Sequence, residues 1–362
     1  MPPPSAARPR SPRPSTTTLL GRAALWFLGF AAAAAVVSLV LVAVRGRTDS
    51  APPDPGPPVE TPVALESLGR FPATRVVYDP RVPGRLHSGG EMSEDSGRSW
   101  RPLVGDDGRR IVPLGGSRSL APALGPGGSV LYGEVLFDEP RVPRGLGAIA
   151  HGAEWRGERW HALLPVDLSD PYSSEEPRWR VASLAYLRGG PALATGNEVL
   201  LPSGGSLHPP VQVSALLASS DGATWIATHD TGRFPLYVDT DGAGSWQPVA
   251  GAFPVAALAE GGGGVCAAGT HLGRRGADGA WRWTALPLTR SDGLAAHPRL
   301  PLVAVWGQDR LLISRDSDAQ PTPVPLGGIE IAWAAWDPAR DDALTLLDRR
   351  GFARRLSLAS LR

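Results

Sequence analysis

Residues 93–100 read SEDSGRSW, a stretch that fits the pattern S-x-D-x-G-x-x-W. The spacing has a physical reason. Ser93 opens a tight turn in which Asp95 can accept backbone N–H groups, and Gly97 allows a positive φ. Trp100 then falls on the next strand, where its ring can cover the hairpin. The stretch therefore predicts a turn between two β-strands.

The spacing from acid to tryptophan recurs further along the chain. Asp241 and Trp246 repeat it, with Ala243 where a glycine is expected. Asp278 and Trp283 repeat it again. Each copy predicts a hairpin in the outer part of a repeated unit.

This pattern resembles the BNR/Asp-box repeats of sialidases, sortilin-type receptors and photosystem-assembly-type β-propellers. The resemblance implies that the Asp-boxes sit at outer hairpins, away from the face that binds substrate. We therefore interpret these residues as structural and not catalytic. The similar stretch SSDGATW (219–225) has its tryptophan one residue too close to the acid, and we expect it between the first and second strands of its unit.

Seven stretches share a pattern of up to four short apolar strands separated by Pro, Gly and Asp turns. They are 75–103, about 118–166, 179–212, 213–249, 255–288, 294–326 and 331–358. Their mean spacing of about 43 residues is the length of a four-stranded propeller blade. We expect an all-β, seven-bladed β-propeller over residues 61–362. Six to eight blades stay open, because the second and third units match the others poorly.

The two ends of the repeat region are complementary. The last unit stops after a third strand, and residues 61–67 form an orphan strand at the other end. Pairing the two would complete the last blade and remove an exposed sheet edge. Deleting 61–67 is therefore expected to lower the melting temperature sharply.

The chain begins with three segments of different composition. Residues 1–22 predict a disordered cytoplasmic tail, and the Pro-rich residues 45–60 predict an extended linker. Between them, Ala23–Val44 is an uncharged apolar run, long enough to cross a bilayer as a helix. Arginines without acids precede this run, so we expect a single-pass plasma (inner) membrane protein with a cytoplasmic N-terminus and a periplasmic or extracellular propeller. The alternative is a cleaved signal peptide, which is usually shorter.

Composition excludes some functions. Hydrophobic residues make up 42% of the chain and charged residues 20%, which suits a packed core. The net charge of +1 gives no electrostatic case for nucleic acid. Cys266 is the only cysteine, so an intrachain disulfide and a multi-thiolate metal site are excluded, and its apolar neighbours predict a buried side chain. No cofactor or metal is predicted.

Motifs for catalysis are also missing. Sialidases, one of the groups that carry these repeats, use three arginines, a tyrosine–glutamate pair and an aspartate, and their early F/Y-R-I-P motif is absent here. The five tyrosines have no recognisable acidic partner in the sequence: Tyr78, Tyr132, Tyr172, Tyr186 and Tyr237. Patterns for a P-loop, a serine-hydrolase elbow and a zinc protease are absent too.

The loops between second and third strands should project on one face of the ring. Their polar residues are His87, His229, Asp230, His271, Asp309, Arg310, Asp348, Arg349 and Arg350. Exposure and shared ancestry explain such residues, although three equivalent histidines could instead mark a metal or a pH-sensitive contact. We expect a partner or ligand to bind on this face.

Together these features predict a membrane-anchored, extracytoplasmic β-propeller that is a non-catalytic scaffold for a protein partner, such as an envelope protein or assembly. The alternative is a diverged sialidase-like glycan hydrolase or a glycan-binding module. A photosystem-type assembly role is implied by the resemblance alone. Signalling through the short tail is the weakest of these readings.

Overall fold

The computed structural model describes most residues between 62 and 361. The described ranges are 62–79, 81–104, 108, 118–119, 123–124, 129–137, 148–156, 159–162, 166–167, 183–187, 190–196, 198–201, 205–228, 235–307, 309–315 and 320–361. They all belong to one compact unit, Thr61–Arg362. The predicted tail, membrane helix and linker lie outside them. Within the described residues, no helix is long and apolar enough to cross a membrane.

Thirty strands run through the described residues. In chain order they are β1 (Glu66–Arg70), β2 (Val77–Tyr78), β3 (Leu86–Ser88), β4 (Glu91–Ser93), β5 (Arg101–Pro102), β6 (Arg118–Ser119), β7 (Ala123–Leu124), β8 (Val130–Phe137), β9 (Ala148–Arg156), β10 (Arg159–Ala162), β11 (Val166–Asp167), β12 (Ser183–Leu187), β13 (Gly190–Thr195), β14 (Glu198–Leu200), β15 (Ser206–Leu207), β16 (Ala215–Ala218), β17 (Thr224–Ala227), β18 (Leu236–Asp239), β19 (Gln247–Pro248), β20 (Val255–Gly261), β21 (Gly264–Gly269), β22 (His271–Arg275), β23 (Trp281–Ala285), β24 (Gly293–Ala296), β25 (Val303–Gly307), β26 (Arg310–Ser314), β27 (Thr322–Val324), β28 (Ile331–Trp336), β29 (Ala343–Asp348) and β30 (Phe352–Ser357). A short 3-10 helix, Leu358–Leu361, follows the last strand.

Six of the sheets are four-stranded antiparallel blades. Blade A has β2–β5, blade B has β12–β15, blade C has β16–β19, blade D has β20–β23, blade E has β24–β27, and blade F has β28–β30 together with β1. Neighbouring strands in blades A to E are consecutive in sequence, so each of these blades is a series of hairpins. The predicted all-β propeller is confirmed, and these blades coincide with six of the seven expected units.

The expectation of seven regular blades is wrong. Among the described residues, the second unit (118–166) forms an irregular six-stranded sheet, in the order β10-β9-β8-β6 with β7 beside β8 and β11 beside β9. The reason is strand length. The hairpin of β8 and β9 has strands of 8 and 9 residues, so each has room for two short partners along its length. β6 pairs near the end of β8 at Val135, and β7 pairs near its start at Leu131.

The first and last strands close the ring, as predicted. β1 pairs antiparallel with β30, with Glu66 opposite Arg355 and Arg70 opposite Phe352. The closing strand is Glu66–Arg70, so it begins inside the orphan segment expected at 61–67 and extends beyond it to Arg70. The preceding residues also contribute, because the Val63 N–H donates to the carbonyl oxygen of Pro325 at 3.0 Å.

The core lies between blades. The second strand of each blade is covered on both sides by neighbouring blades, so it reads as a continuous apolar run, as in VAVWG of β25 and ALTLLD of β29. Buried clusters join adjacent blades in the same way; Trp306 of blade E, for example, packs in one cluster with Trp336 and Leu344 of blade F.

Partly buried side-chain hydrogen bonds join blade F to its neighbours. The Trp333 indole N–H donates to the Val76 carbonyl beside blade A at 2.7 Å, and the Trp336 indole N–H donates to Ala295 of blade E at 3.0 Å. These bonds fix the turns at the ends of the strands relative to one another, and those turns form the two faces of the ring.

Candidate partner-binding face

The turn at residues 93–100 joins the third and fourth strands of blade A. Asp95 accepts hydrogen bonds from the Ser99 backbone N–H at 2.9 Å and from the Ser99 hydroxyl at 2.6 Å. The Ser93 hydroxyl donates to Asp95 at 2.8 Å and accepts the Gly97 N–H at 2.8 Å. The hydrogen bonds from Ser99 lower the pKa of Asp95 to about 2. All the partners of this carboxylate lie inside the turn, so its geometry is that of a structural residue.

Packing under this turn depends on a glycine. Gly97 has a φ of 92°, and a Cβ at this position would overlap the Phe71 ring. Phe71 meets Trp100 edge to face, with ring centroids 4.9 Å apart, and the Trp100 indole N–H donates back to the Gly97 carbonyl at 3.1 Å. The tryptophan therefore covers its own hairpin.

The two related stretches also join third and fourth strands, in blades C and D. In blade D, the Arg282 side chain donates to Asp278 at 2.7 Å and lowers the pKa of that carboxyl, while Trp283 lies against Gly273 of the neighbouring strand. In blade C, the Asp241 carboxylate accepts the Ala243 N–H at 2.9 Å.

Sequence reasoning missed the main acceptor of the blade C turn. Asp239 is fully buried and accepts the N–H groups of Asp241, Gly242 and Gly244 at 2.8–3.2 Å. It occupies the position that Ser93 has in blade A. Trp246, at the end of this turn, is partly buried against the core of blades B and C. The sequence signal that could have identified Asp239 is its position two residues before Asp241, where the pattern expects a serine.

The histidines expected in exposed loops are not placed together there. His87 lies within β3 and is buried, so its assignment to a loop is wrong. His271 begins β22 and stacks on Phe253, with ring centroids 3.7 Å apart. His229 and Asp230 lie outside the described residues. Among the described residues there is no group of three or more His, Cys, Asp or Glu side chains placed to hold a metal ion.

The charged residues predicted in blades E and F do lie at second-to-third turns. Asp309 has a φ of 64° in the turn before β26, and Arg310 is exposed and donates to the Pro287 carbonyl at 3.3 Å. In blade F, Arg349 and Arg350 are exposed in the turn after β29. These turns belong to adjacent blades and open on the same face of the ring.

Asp348 fixes the shape of the blade F turn. Its carboxylate accepts the backbone N–H groups of Arg350 and Phe352, each at 2.9 Å, and the Arg354 guanidinium at 3.2 Å. Burial raises the pKa of Asp348, but the Phe352 N–H and the Arg354 guanidinium outweigh burial, so the pKa lies below its ordinary value. The carboxylate organises the turn, and the arginines are left pointing outward.

Two residues missed by sequence reasoning complete this surface. Phe352 is 45% exposed, although it begins a strand, and it pairs with exposed Arg70 of β1. The Arg70 side chain runs beside Gly351. Exposed Glu330 pairs with Arg349 at 3.4 Å. We call the surface formed by Arg70, Arg349, Arg350 and Phe352 the blade F rim.

Tyr186 has an acidic partner in the structure. The Tyr186 hydroxyl of blade B donates to Glu154 of the six-stranded sheet at 3.1 Å, and both side chains are buried. The expectation that none of the tyrosines has an acidic partner is therefore wrong for Tyr186. Tyr78 instead bonds Thr345 at 2.6 Å, and burial raises the pKa of Tyr78 to about 12.

No protein-family model matches the chain, and neither does any curated protein. Solved structures are similar to it. YCF48 from Cyanidioschyzon merolae has a TM-score of 0.50 and 12% identity, over 82% of this chain and 98% of that chain. The extracellular domain of a hybrid two-component system from B. thetaiotaomicron has a TM-score of 0.53 and 8% identity, over 81% of this chain and 42% of that chain. The likeness is one of fold. It agrees with the resemblance to repeat β-propellers that the SEDSGRSW stretch carries.

Proposed function

We propose that this chain is a membrane-anchored protein-interaction scaffold whose propeller binds a protein partner through the blade F rim. The observation that carries the proposal is an exposed aromatic ring, Phe352, set among exposed arginines on a rigid turn. Arginine and aromatic side chains are the types most enriched at the centres of protein interfaces.

The chemistry of the rim indicates the kind of partner. Arg70, Arg349 and Arg350 present guanidinium groups that can bind carboxylates through two parallel hydrogen bonds. Among the described residues, Arg349 pairs with the exposed Glu330. Phe352 can fill an apolar pocket between such contacts. The matching surface therefore has acidic side chains around an apolar depression. Because the turn is fixed by Asp348, little backbone ordering is needed on binding.

The anchor is supported by sequence. Ala23–Val44 has the length and composition of a membrane-spanning helix, and the arginines before it favour a cytoplasmic N-terminus. In this arrangement the propeller lies on the outer side of the membrane, where an envelope protein or assembly is the partner. Protease added to spheroplasts, in which the outer side of the plasma membrane is accessible, should remove the propeller and leave a protected N-terminal tag; protection of the propeller itself would contradict this topology.

The irregular sheet bears on the number of positions in the ring. We infer that it occupies a seventh position, because β8 contacts the first strand of blade B and because Val130 and Tyr132 share a buried cluster with Met92 and Leu103 of the blade A region. In this arrangement the ring contains six blades and one divergent sheet.

Binding is tested with the full-length chain purified from membranes, in detergent. Proteins cross-linked and captured with the wild type are compared with those captured by Arg349→Ala/Arg350→Ala/Phe352→Ala. The matched control is Arg101→Ala/Arg282→Ala, which removes two exposed, ion-paired arginines in blades A and D. We expect a partner that is retained by the control and lost from the rim variant. A partner retained equally by all three proteins would overturn the assignment of the rim.

A glycan hydrolase is the second candidate, and the Tyr186–Glu154 hydrogen bond is what favours it. A carboxylate that accepts a proton from a tyrosine can activate the phenol as a nucleophile. Both side chains are buried, however, so a substrate would need a path that exposes them. A panel of fluorogenic glycosides tests the idea: turnover by the wild type that is lost in Tyr186→Phe and Glu154→Gln would support it, and no turnover of any glycoside would dismiss it.

A further inference from the structure

A buried histidine sits in the turn between the first and second strands of blade E. The side chain of His297 is fully buried, and its Nδ1 accepts two backbone N–H groups, from Arg299 at 3.1 Å and Leu300 at 3.0 Å. A ring nitrogen that accepts hydrogen bonds carries no proton, so the neutral ring has its proton on Nε2. Nε2 lies 3.8 Å from Asp341 of blade F, too far for a hydrogen bond.

Two other blades build a similar turn, one residue longer, without a histidine. In blade A the corresponding residue is Asp79, which accepts the Arg81 N–H at 2.9 Å. In blade F it is Asp337, which accepts the Ala339 N–H at 3.0 Å. The backbone N–H of each of the three residues donates to a carbonyl across its turn. A carboxylate keeps its acceptor oxygens at mildly acidic pH, whereas an imidazole loses its free lone pair when it is protonated.

The His297 turn joins three blades. The His297 carbonyl accepts the Gly262 N–H of blade D at 2.8 Å, and the Pro301 carbonyl accepts the Arg274 guanidinium of blade D at 2.9 Å. On the other side, Arg299 pairs with Asp341 of blade F at 2.6 Å. A rearrangement of this one turn would therefore disturb both boundaries of blade E.

The groups around the ring oppose its protonation on balance. Burial lowers the pKa of His297; Asp341 raises it, and Arg299 lowers it further. From blade D, Arg274 approaches the same turn as a cation, and Glu260 is turned away to the Ser220 backbone and hydroxyl of blade C. From blade F, the Trp336 ring meets the imidazole edge to face, with ring centroids 5.3 Å apart.

We propose that His297 is an acid-sensitive latch that holds blades D, E and F together at neutral pH and releases them when it is protonated. The added proton must go to Nδ1, where it points at two N–H groups. Both of those hydrogen bonds are lost, and the buried imidazolium has no hydrogen-bond acceptor in the neutral-pH conformation of the turn. The imidazole therefore moves out of the turn, and the contacts of the turn with blades D and F break.

The direction of the pH dependence follows from linkage. The pKa of His297 is lowered in the folded chain, so the unfolded or opened chain binds the proton more tightly. The stabilisation is complete above the ordinary histidine pKa of about 6.5 and is lost as the pH falls below it. Lowering the pH from 7.5 to 5.5 can shift the opening equilibrium by up to about tenfold through this one group.

The test uses hydrogen–deuterium exchange on the full-length chain at pH 7.5 and 5.5, with rates expressed as protection relative to the free peptide. The wild type should lose up to about tenfold protection in peptides covering 297–302 and 257–264. The Asp79–Arg85 turn of blade A serves as the internal reference and should change little. Equal change in the two turns of the wild type would overturn the proposal without any variant.

Two variants separate the latch from general acid sensitivity. His297→Asn keeps a neutral acceptor and removes the titration, so the pH-dependent loss at 297–302 should disappear. His208→Asn removes a histidine whose side chain is 67% exposed in blade B, and should behave as the wild type does. The same pH-dependent loss in His297→Asn as in the wild type would refute the latch.

Discussion

Replacing Leu68 with alanine should loosen the seam that closes the ring. Leu68 is the one buried residue of β1, whose other residues are exposed. It packs in a cluster with Phe71, Val76 and Leu347. Leucine-to-alanine changes in a core cost about 2–5 kcal/mol, and a site at the sheet edge can relax, so we expect about 2–3 kcal/mol. For a domain of about 300 residues that corresponds to a fall in melting temperature of about 3–5 °C.

The assay combines thermal melting with hydrogen exchange. The change should be concentrated in β30, because its residues from Phe352 to Arg355 pair with β1. Ser67→Ala is the matched control: Ser67 is an exposed neighbour on the same strand, and its replacement should change stability by less than about 0.5 kcal/mol. A normal melt for Leu68→Ala, or a lowered melt with β30 still fully protected, would refute the idea that β1 is held through this side chain.

Three further changes test local features. Gly97→Ala should cost about 2–4 kcal/mol in urea unfolding, because φ is positive and the new methyl group meets Phe71; a cost below about 0.5 kcal/mol would show that the turn can shift. The pKa of Asp95 is lowered to about 2, so its contribution to stability is complete above the ordinary pKa of about 4 and is lost as the pH falls towards 2. Acid melts of Asp95→Asn should lack that loss, and identical acid profiles would argue against it. Burial raises the pKa of the Cys266 thiol to about 11, so it should react with a disulfide reagent at pH 8 only after unfolding; rapid reaction of the native chain would contradict its burial.

The repeat pattern predicted most of the fold because the blades are local structures. Strands and turns that are close in sequence determine the boundaries of blades A to F and place the SEDSGRSW turn between third and fourth strands. The incomplete last unit predicts that the first strand pairs with the last. SSDGATW also lies between the first and second strands of its blade, as expected.

The irregular sheet could not be predicted in the same way. The number of strands in this sheet depends on the length over which β8 and β9 pair, which runs from Val130 opposite Trp155 to Phe137 opposite Ala148. Sequence pattern gives the apolar residues of a strand but not the length of its pairing, because edge partners decide where a ladder ends. Seven equal units were therefore the simplest expectation and the wrong one.

The candidate site was only partly predictable. Arg349 and Arg350 follow a strand and precede a glycine, which marks an exposed turn from sequence alone. His87 lies in a short strand whose ends sequence cannot locate to within a residue. Arg70 and Phe352 are brought together by the register of β1 on β30, and Tyr186 meets Glu154 across two sheets. Contacts of that kind depend on the assembled fold, and no local pattern signals them.

The pairing of β1 with β30 also determines when the propeller can close during translation. The first strand leaves the ribosome about 280 residues before its partner, which at about 5–20 residues per second is a wait of roughly 15 seconds to one minute. Throughout that time β1 offers a free edge to any other strand. Completion of blade F is therefore the last event in making the propeller, and a chain that stops short of Phe352 leaves its N-terminal strand exposed to chaperones and proteases.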